Sequence, residues 1–198
     1  AKISHSYEYG YTAGKLAADW LNTNCSASQT VACALLTKPQ SLAVIDRANG
    51  IIEGLRENCT FAQIVATKPY SDQASAREMT EQMMREHPKI RCIVGVSDMS
   101  ILGAYDALEA MNLLNEEMCL VGIDASAPVL KKIQEGTVIR GSVSQDTKGF
   151  AEVTIHAAIA AIQGNPLPES SIKIEAVTME NVAAYLQAEA ASHSTPAS

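Results

Sequence analysis

Two periods of hydrophobic patterning take turns along this chain. Short apolar runs occur at 31–36 (VACALL), 61–66, 92–96 (CIVGV), 119–123 (CLVGI), 138–143 and 172–177. Such runs of four to eight residues, bounded by turn residues, predict strands, and the uncharged ones predict strands buried on both faces. Between them apolar residues recur at helical spacing. That pattern predicts helices over 13–21, 42–57, 74–86, 128–135, 150–163 and 180–186, and a further one in which Ile101, Leu102, Tyr105 and Leu108 share a face. Asp98 stands where the N-cap of that last helix belongs, and Gly136 and Gly164 stand where helices end. The opening residues 2–5 read as a strand and SYEYGY (6–11) as an aromatic turn, while the tail from 188 has little to bury and is expected to fray.

Strands alternating with helices at this spacing make βαβ units. The predicted fold class is therefore α/β: a doubly wound, mostly parallel sheet flanked by helices. In such sheets ligands sit outside the carboxyl ends of the strands. The polar residues falling at those ends are Lys38 and Gln40, Tyr70 and Asp72, Ser97 and Asp98, Asp124 and Ser126, and Gln145 and Asp146. Arg47 lies one to two turns into the helix that follows the second predicted strand, near enough to reach back to the same rim. One guanidinium, a few carboxylates, amides and a hydroxyl suit a polyhydroxylated or zwitterionic small molecule, since Arg donates in a planar fork and carboxylates accept from hydroxyls. Two other readings stay open: Asp98 and Asp146 as helix caps, and Arg47 paired on the surface with Asp46 or Glu53.

Charge and motif content narrow the function classes. The chain has 198 residues and a formal net charge of −7, which argues against a nucleic-acid surface. No run approaches the roughly 18 apolar residues of a membrane span. The sequence holds no G-x-G-x-x-G, Walker A, G-x-S-x-G or H-E-x-x-H signature, and its four histidines have no Ser or Cys partner nearby in sequence. The expectation is a protein that is not an enzyme and needs no cofactor. The five cysteines lack metal-ligand spacing, and Cys33, Cys92 and Cys119 lie in or beside apolar runs, where a thiol serves as a small core residue.

Several segments resemble one family. HPKIRCIVGVSDMSILGAYDAL (87–108) resembles the HPDI…ND…ALGA segment of type I periplasmic binding proteins of the ribose/galactose-binding kind, and VGIDASAPVLKKIQEGTV (121–138) resembles their VGFDGTPEALEAIKDGKL. RANGIIEGL (47–55), SQDTKGFAEVTI (144–155), AVTMENVAAY (176–185) and YTAGKLAADWL (11–21) are similar to further segments of that family, in the same order. The resemblance implies two lobes joined by three crossovers, with ligand closed between them. It implies a chain that starts near the first crossover: 1–187 as the binding-protein domain, made of a C-terminal lobe (4–144), a returning crossover and helix of the other lobe (145–171) and a final strand and helix (172–187), then a flexible tail (188–198). On the returning helix it implies an exposed apolar stripe of Val153, Ala157 and Ile162.

Position by position, Arg47 falls on the family's ligand-gripping Arg, Ser97 on its Asn, Asp124 on its ligand-binding Asp and Gln145 on its Gln. Lys38, Tyr70 and Asp72 join them as ligand-binding candidates. Ser97 lacks the bidentate amide of the family's Asn, Ile123 replaces a Phe, and 136–145 is one residue longer than the pattern. The implied function is capture of a small polar solute, a sugar or a related compound, for an ABC-type importer by lobe closure, in the periplasm or outside the cell. The partners so implied are the solute and an ABC permease. A periplasmic sensor working with a histidine kinase, or the core of a LacI-type repressor, are the alternatives that share the fold.

Overall fold

The computed structural model describes residues 5–38, 41–145, 147–165 and 173–193, without the side chains of 147–153 and 189–193. In chain order the elements are α1 (His5–Asn24), β1 (Val31–Thr37), α2 (Leu42–Asn58), β2 (Ala62–Pro69), α3 (Gln73–Glu86), β3 (Ile90–Gly95), α4 (Asp98–Ala110), β4 (Cys119–Asp124), α5 (Ala127–Gln134), β5 (Ile139–Gln145), α6 (Thr147–Ile162), β6 (Ile174–Val177) and α7 (Val182–His193). The strands form one sheet in the order β2-β1-β3-β4-β5-β6, parallel from β2 to β5, with β6 antiparallel at the edge. The chain leaves β1 toward β2 and then returns to the other side of β1 for β3. The order thus reverses at β1 and β3, and the diverging connections open a crevice at their carboxyl ends.

Helix α1 packs on α2 and on β3 to β6, while α3 and α4 pack on each other and against β2, β3 and β4. Between these layers lie Leu35 and Leu36 of β1, Ile93 of β3 and Leu120 and Ile123 of β4, with Ile51, Met83, Ile101 and Leu108 from the helices, all fully buried. Strands sandwiched this way carry almost no charge, which is why their apolar runs are readable in the sequence.

The aromatic stretch SYEYGY is a correction. It lies inside α1, a helix of 20 residues, rather than in a turn; of the expected strand 2–5, His5 is helical and 2–4 lie outside the described residues. Tyr9, Gly10, Ala13, Gly14, Ala17, Ala18 and Leu21 form its buried face at helical spacing. Tyr7 and Tyr11 stack one turn apart with ring centroids 6.4 Å apart, and each donates to a carboxylate of α2, Tyr7 to Glu53 at 2.5 Å and Tyr11 to Glu57 at 2.9 Å. Glycine reads as a turn residue in isolation, but Gly10 and Gly14 here meet Gly50 and Gly54 of α2 in a seam so close that backbone touches backbone.

Three other boundaries differ. Strand β2 runs on past the apolar run that ends at 66, to Pro69, which pairs with Thr37. Ser97 is the N-cap of α4 and Asp98 its first helical residue, a buried one. Helix α7 continues to His193, well past the expected 186, and 194–198 lie outside the described residues. On α6, Val153 has no described side chain; the exposed large apolar residues among those described there are Ile155, Ile159 and Ile162, while Ala157 is half-buried.

The strand register brings three cysteines into one row, Cys33 opposite Cys92 and Cys92 opposite Cys119. All five are free thiols; Cys33, Cys59, Cys92 and Cys119 are buried and Cys25 is partly exposed. Hydrogen bonding to the Cys92 sulfur and then burial push the Cys33 thiol far up, and Cys92 is held up in the same way by Cys119. Thiolates do the attacking, so these groups are inert while the sheet is closed. A thiol reagent added to the native protein is expected to modify Cys25 alone, and all five in denaturant. Rapid native modification at Cys92 would show that the sheet opens there.

Candidate functional site

The carboxyl-end rim is built from the ends of β1 to β5 and one side chain that reaches in from α2. Arg47 projects from the second turn of α2 over the crevice, with its side chain 13% exposed. Its Nη1 donates to the carbonyl of Val96 at 2.7 Å and lies 3.7 Å from Oδ1 of Asp124. The Tyr9 ring of α1 lies beneath the guanidinium at 5.9 Å. Among the described residues, Nε of Arg47 is the buried side-chain nitrogen or oxygen left without a hydrogen-bond partner. Arg47 is thus pinned at the rim rather than paired with Asp46 or Glu53 on the surface.

Asp124 ends β4. Burial raises its carboxyl above the usual range, opposed by Arg47, by a hydrogen bond from Gln145 and by the charge of Lys38. The Gln145 amide, at the end of β5, donates to the Asp124 carboxylate. Tyr70 is buried after β2, and its hydroxyl shares a 2.6 Å hydrogen bond with the Ser97 hydroxyl. Burial raises the Tyr70 hydroxyl, so it stays protonated and a donor. The Lys38 ammonium rests 4.8 Å from the centre of that ring. Five of the candidates thus fall into linked pairs along the crevice, Arg47 and Gln145 on Asp124, Tyr70 on Ser97, with Lys38 beside Tyr70.

The chain-matching pattern of one family, described as the periplasmic binding protein domain, covers residues 4–166. This chain belongs to that family. It is a family of binding proteins rather than of catalysts, and the type I fold of the resemblance is the fold observed. Among curated proteins nothing matches. Among solved structures, a Bacillus halodurans ABC transporter solute-binding protein with bound myo-inositol is 26% identical with a TM-score of 0.78, over 91% of this chain and 60% of its own. A Mycobacterium smegmatis protein in complex with β-D-fucofuranose is 23% identical (TM-score 0.81; 94% and 61%). A periplasmic solute-binding protein of Actinobacillus succinogenes with bound D-allose is 20% identical (TM-score 0.80; 91% and 62%). The chain therefore spans about three fifths of the length of these relatives. Among the described residues of this periplasmic binding protein domain, no helix is long and apolar enough to cross a membrane.

Asp72 sits apart from the linked pairs. It is the N-cap of α3 in a capping box: its carboxylate accepts from the Ser75 amide at 2.8 Å while its own amide donates to the Ser75 hydroxyl at 3.0 Å. Those bonds hold its carboxyl below the usual range. Gln40 and Asp146 lie outside the described residues.

Sequence reasoning missed the work done by Asp98. Its carboxylate, 2% exposed, turns inward from α4 and accepts from the Ser126 amide at 2.6 Å, the Ser126 hydroxyl at 2.8 Å and the Ser142 hydroxyl at 2.6 Å. Ser142 in turn accepts from the Ala125 amide at 3.0 Å. A signal existed in the lone hydroxyl of the buried GSV segment of β5, which needs a partner. A groove of about 760 Å³ opens at the opposite end of the sheet, by Cys25, Gln29, Arg91 and Glu117. There Arg91 is engaged, 3.5 Å from the Glu117 carboxylate.

Proposed function

We propose that this domain forms one wall of the ligand cleft of a solute-binding protein that captures a neutral sugar or related polyol for an ABC-type importer. The observation carrying the reading is the convergence of Arg47, Asp124 and Gln145 at the crevice where the strand order reverses. A guanidinium and an amide supply donors, a carboxylate accepts from vicinal hydroxyls, and the Ser97–Tyr70 pair adds hydroxyls on the other side of the crevice. The sugars and inositol bound by the solved relatives support the same solute class. Uptake of this kind works by hinge closure, with a second wall supplied by a portion that the relatives have and this chain does not span.

Thermal melting of the protein with both walls of the cleft present, against D-allose, myo-inositol, galactose and fucose, tests the reading. A solute at 100 times its dissociation constant is expected to stabilise the fold by about 2.7 kcal/mol. A shift with one epimer and none with another supports a sugar site, whereas no shift with any sugar or polyol overturns it.

A further inference from the structure

The turn that carries Asp124 is strained, and the strain is held from below. Asp124 has φ 129° and Ala125 has φ 51°, both in the region that disfavours residues with a β-carbon. The sequence pattern that this segment resembles, VGFDGT, has glycine where this chain has Ala125. The two amides that follow Asp124 are the ones tied down, Ala125 to the Ser142 hydroxyl and Ser126 to Asp98. Asp98 also holds Ser142, so a single carboxylate fastens both ends of the strained pair. The neighbouring strand makes room for it: a β-carbon on Gly122 of β4 would overlap the Asp98 carboxylate.

We infer that Asp98 is the positioning residue for the ligand-facing Asp124, a clasp that fixes the 124–126 turn and thereby sets solute affinity without touching the solute. This rests on the rim being the solute site. The groups facing Asp98 are the hydroxyls of Ser142 from β5 and Ser126 ahead of α5; the nearest like charge is Asp124 on β4, and Arg47 of α2 is turned to Val96 and Asp124. No ion pair to Asp98 exists among the described residues. Burial pushes its carboxyl up to about 7, while the bonds from Ser142 and Ser126 pull it down. By linkage, whatever favours the carboxylate is itself strengthened when the carboxylate forms. The turn therefore tightens as pH rises through about 7. Global stability moves the other way, because the folded chain holds this proton more tightly than the unfolded one and loses that advantage between pH 3.8 and about 7.

Amide hydrogen exchange on the full chain, expressed as protection factors from pH 5.5 to 8.5, separates the two. Protection at Ser126 is expected to rise through pH 7 while that at Val121, inside β4, falls or stays level. Asp98→Asn is expected to abolish the Ser126 step and lower its protection at pH 8 about tenfold, the equivalent of one hydrogen bond to a charged group. Adding Ala125→Gly, which relieves the strain, is expected to recover part of the loss. Should Asp98→Asn unfold the chain, Ser142→Ala takes its place and is expected to expose Ala125 while sparing Ser126. A Ser126 profile that tracks Val121, or that Asp98→Asn leaves unchanged, overturns the clasp. Parallel titrations with myo-inositol and D-allose are expected to weaken with the same substitution. If the exchange step is present and neither sugar binds at any pH, the solute reading fails and the clasp stands.

Discussion

Gly10→Ala is expected to destabilise the fold by about 3 kcal/mol, the upper part of the range for overpacked sites. In an open helix the same change is stabilising by up to about 1 kcal/mol, so the sign itself is diagnostic. The reversal comes from what a β-carbon would meet. At Gly10 it would overlap the Arg47 carbonyl oxygen and stand 2.8 Å from the carbonyl carbon; at Gly14 it would overlap the Ile51 oxygen and lie 2.8 Å from the Leu55 amide nitrogen. Gly50 faces the α1 backbone reciprocally, with the Tyr11 nitrogen 2.7 Å from the added carbon. No side-chain rotamer can give way, because the obstacle is main chain. The substitution must push α2 outward at Arg47, so solute affinity is expected to fall along with the denaturation midpoint. A variant as stable as the parent would mean that the two helices do not meet at this seam.

Arg47→Ala is expected to abolish solute binding, by more than about 100-fold, the cost of 2.7 kcal/mol or more, while the fold loses about 1.5–3 kcal/mol with the hydrogen bond to Val96. The asymmetry follows from position. The guanidinium holds one backbone acceptor and lies beside Asp124, so the fold uses one of its bonds and leaves the rest of the fork to the cleft. Without Arg47, burial raises the Asp124 carboxyl further, and a protonated Asp124 is a poorer acceptor for a sugar hydroxyl. Arg47→Lys keeps the charge but not the fork and is expected to restore only part of the affinity. Calorimetric titration with whichever sugar shifts the melt decides it; wild-type affinity in Arg47→Ala would remove Arg47 from the site.

How much of this was legible in the sequence depends on whether a residue's partner is near in sequence or in space. The strands were readable because burial on both faces leaves uninterrupted apolar runs, as in CIVGV and CLVGI. The rim was readable because parallel strands end on the same side, so Tyr70, Ser97, Asp124 and Gln145 had to share an edge once the fold was named. SYEYGY was misread because its one glycine, Gly10, serves a partner helix some 40 residues away, which no local pattern announces. Asp98 was misread for the opposite reason. The cap position explains an aspartate so well that nothing local points to Ser142, 44 residues on. The hydrogen-bond pairing of Tyr70 with Ser97 was likewise invisible, since the two meet only across the crevice.

The row of thiols across β1, β3 and β4 has a consequence for how the protein is made. Cys33, Cys92 and Cys119 come from three strands separated by long stretches of chain, and only the finished sheet puts them out of reach. In a compartment that oxidises thiols, the newly made chain is in a race: an odd number of sulfurs cannot all pair, and any bond made early would tie strands together before their register is set. Molecules that close first keep their thiols and stay correct. Latecomers are locked into wrong shapes, so yield in an oxidising host reports folding speed more than folding strength.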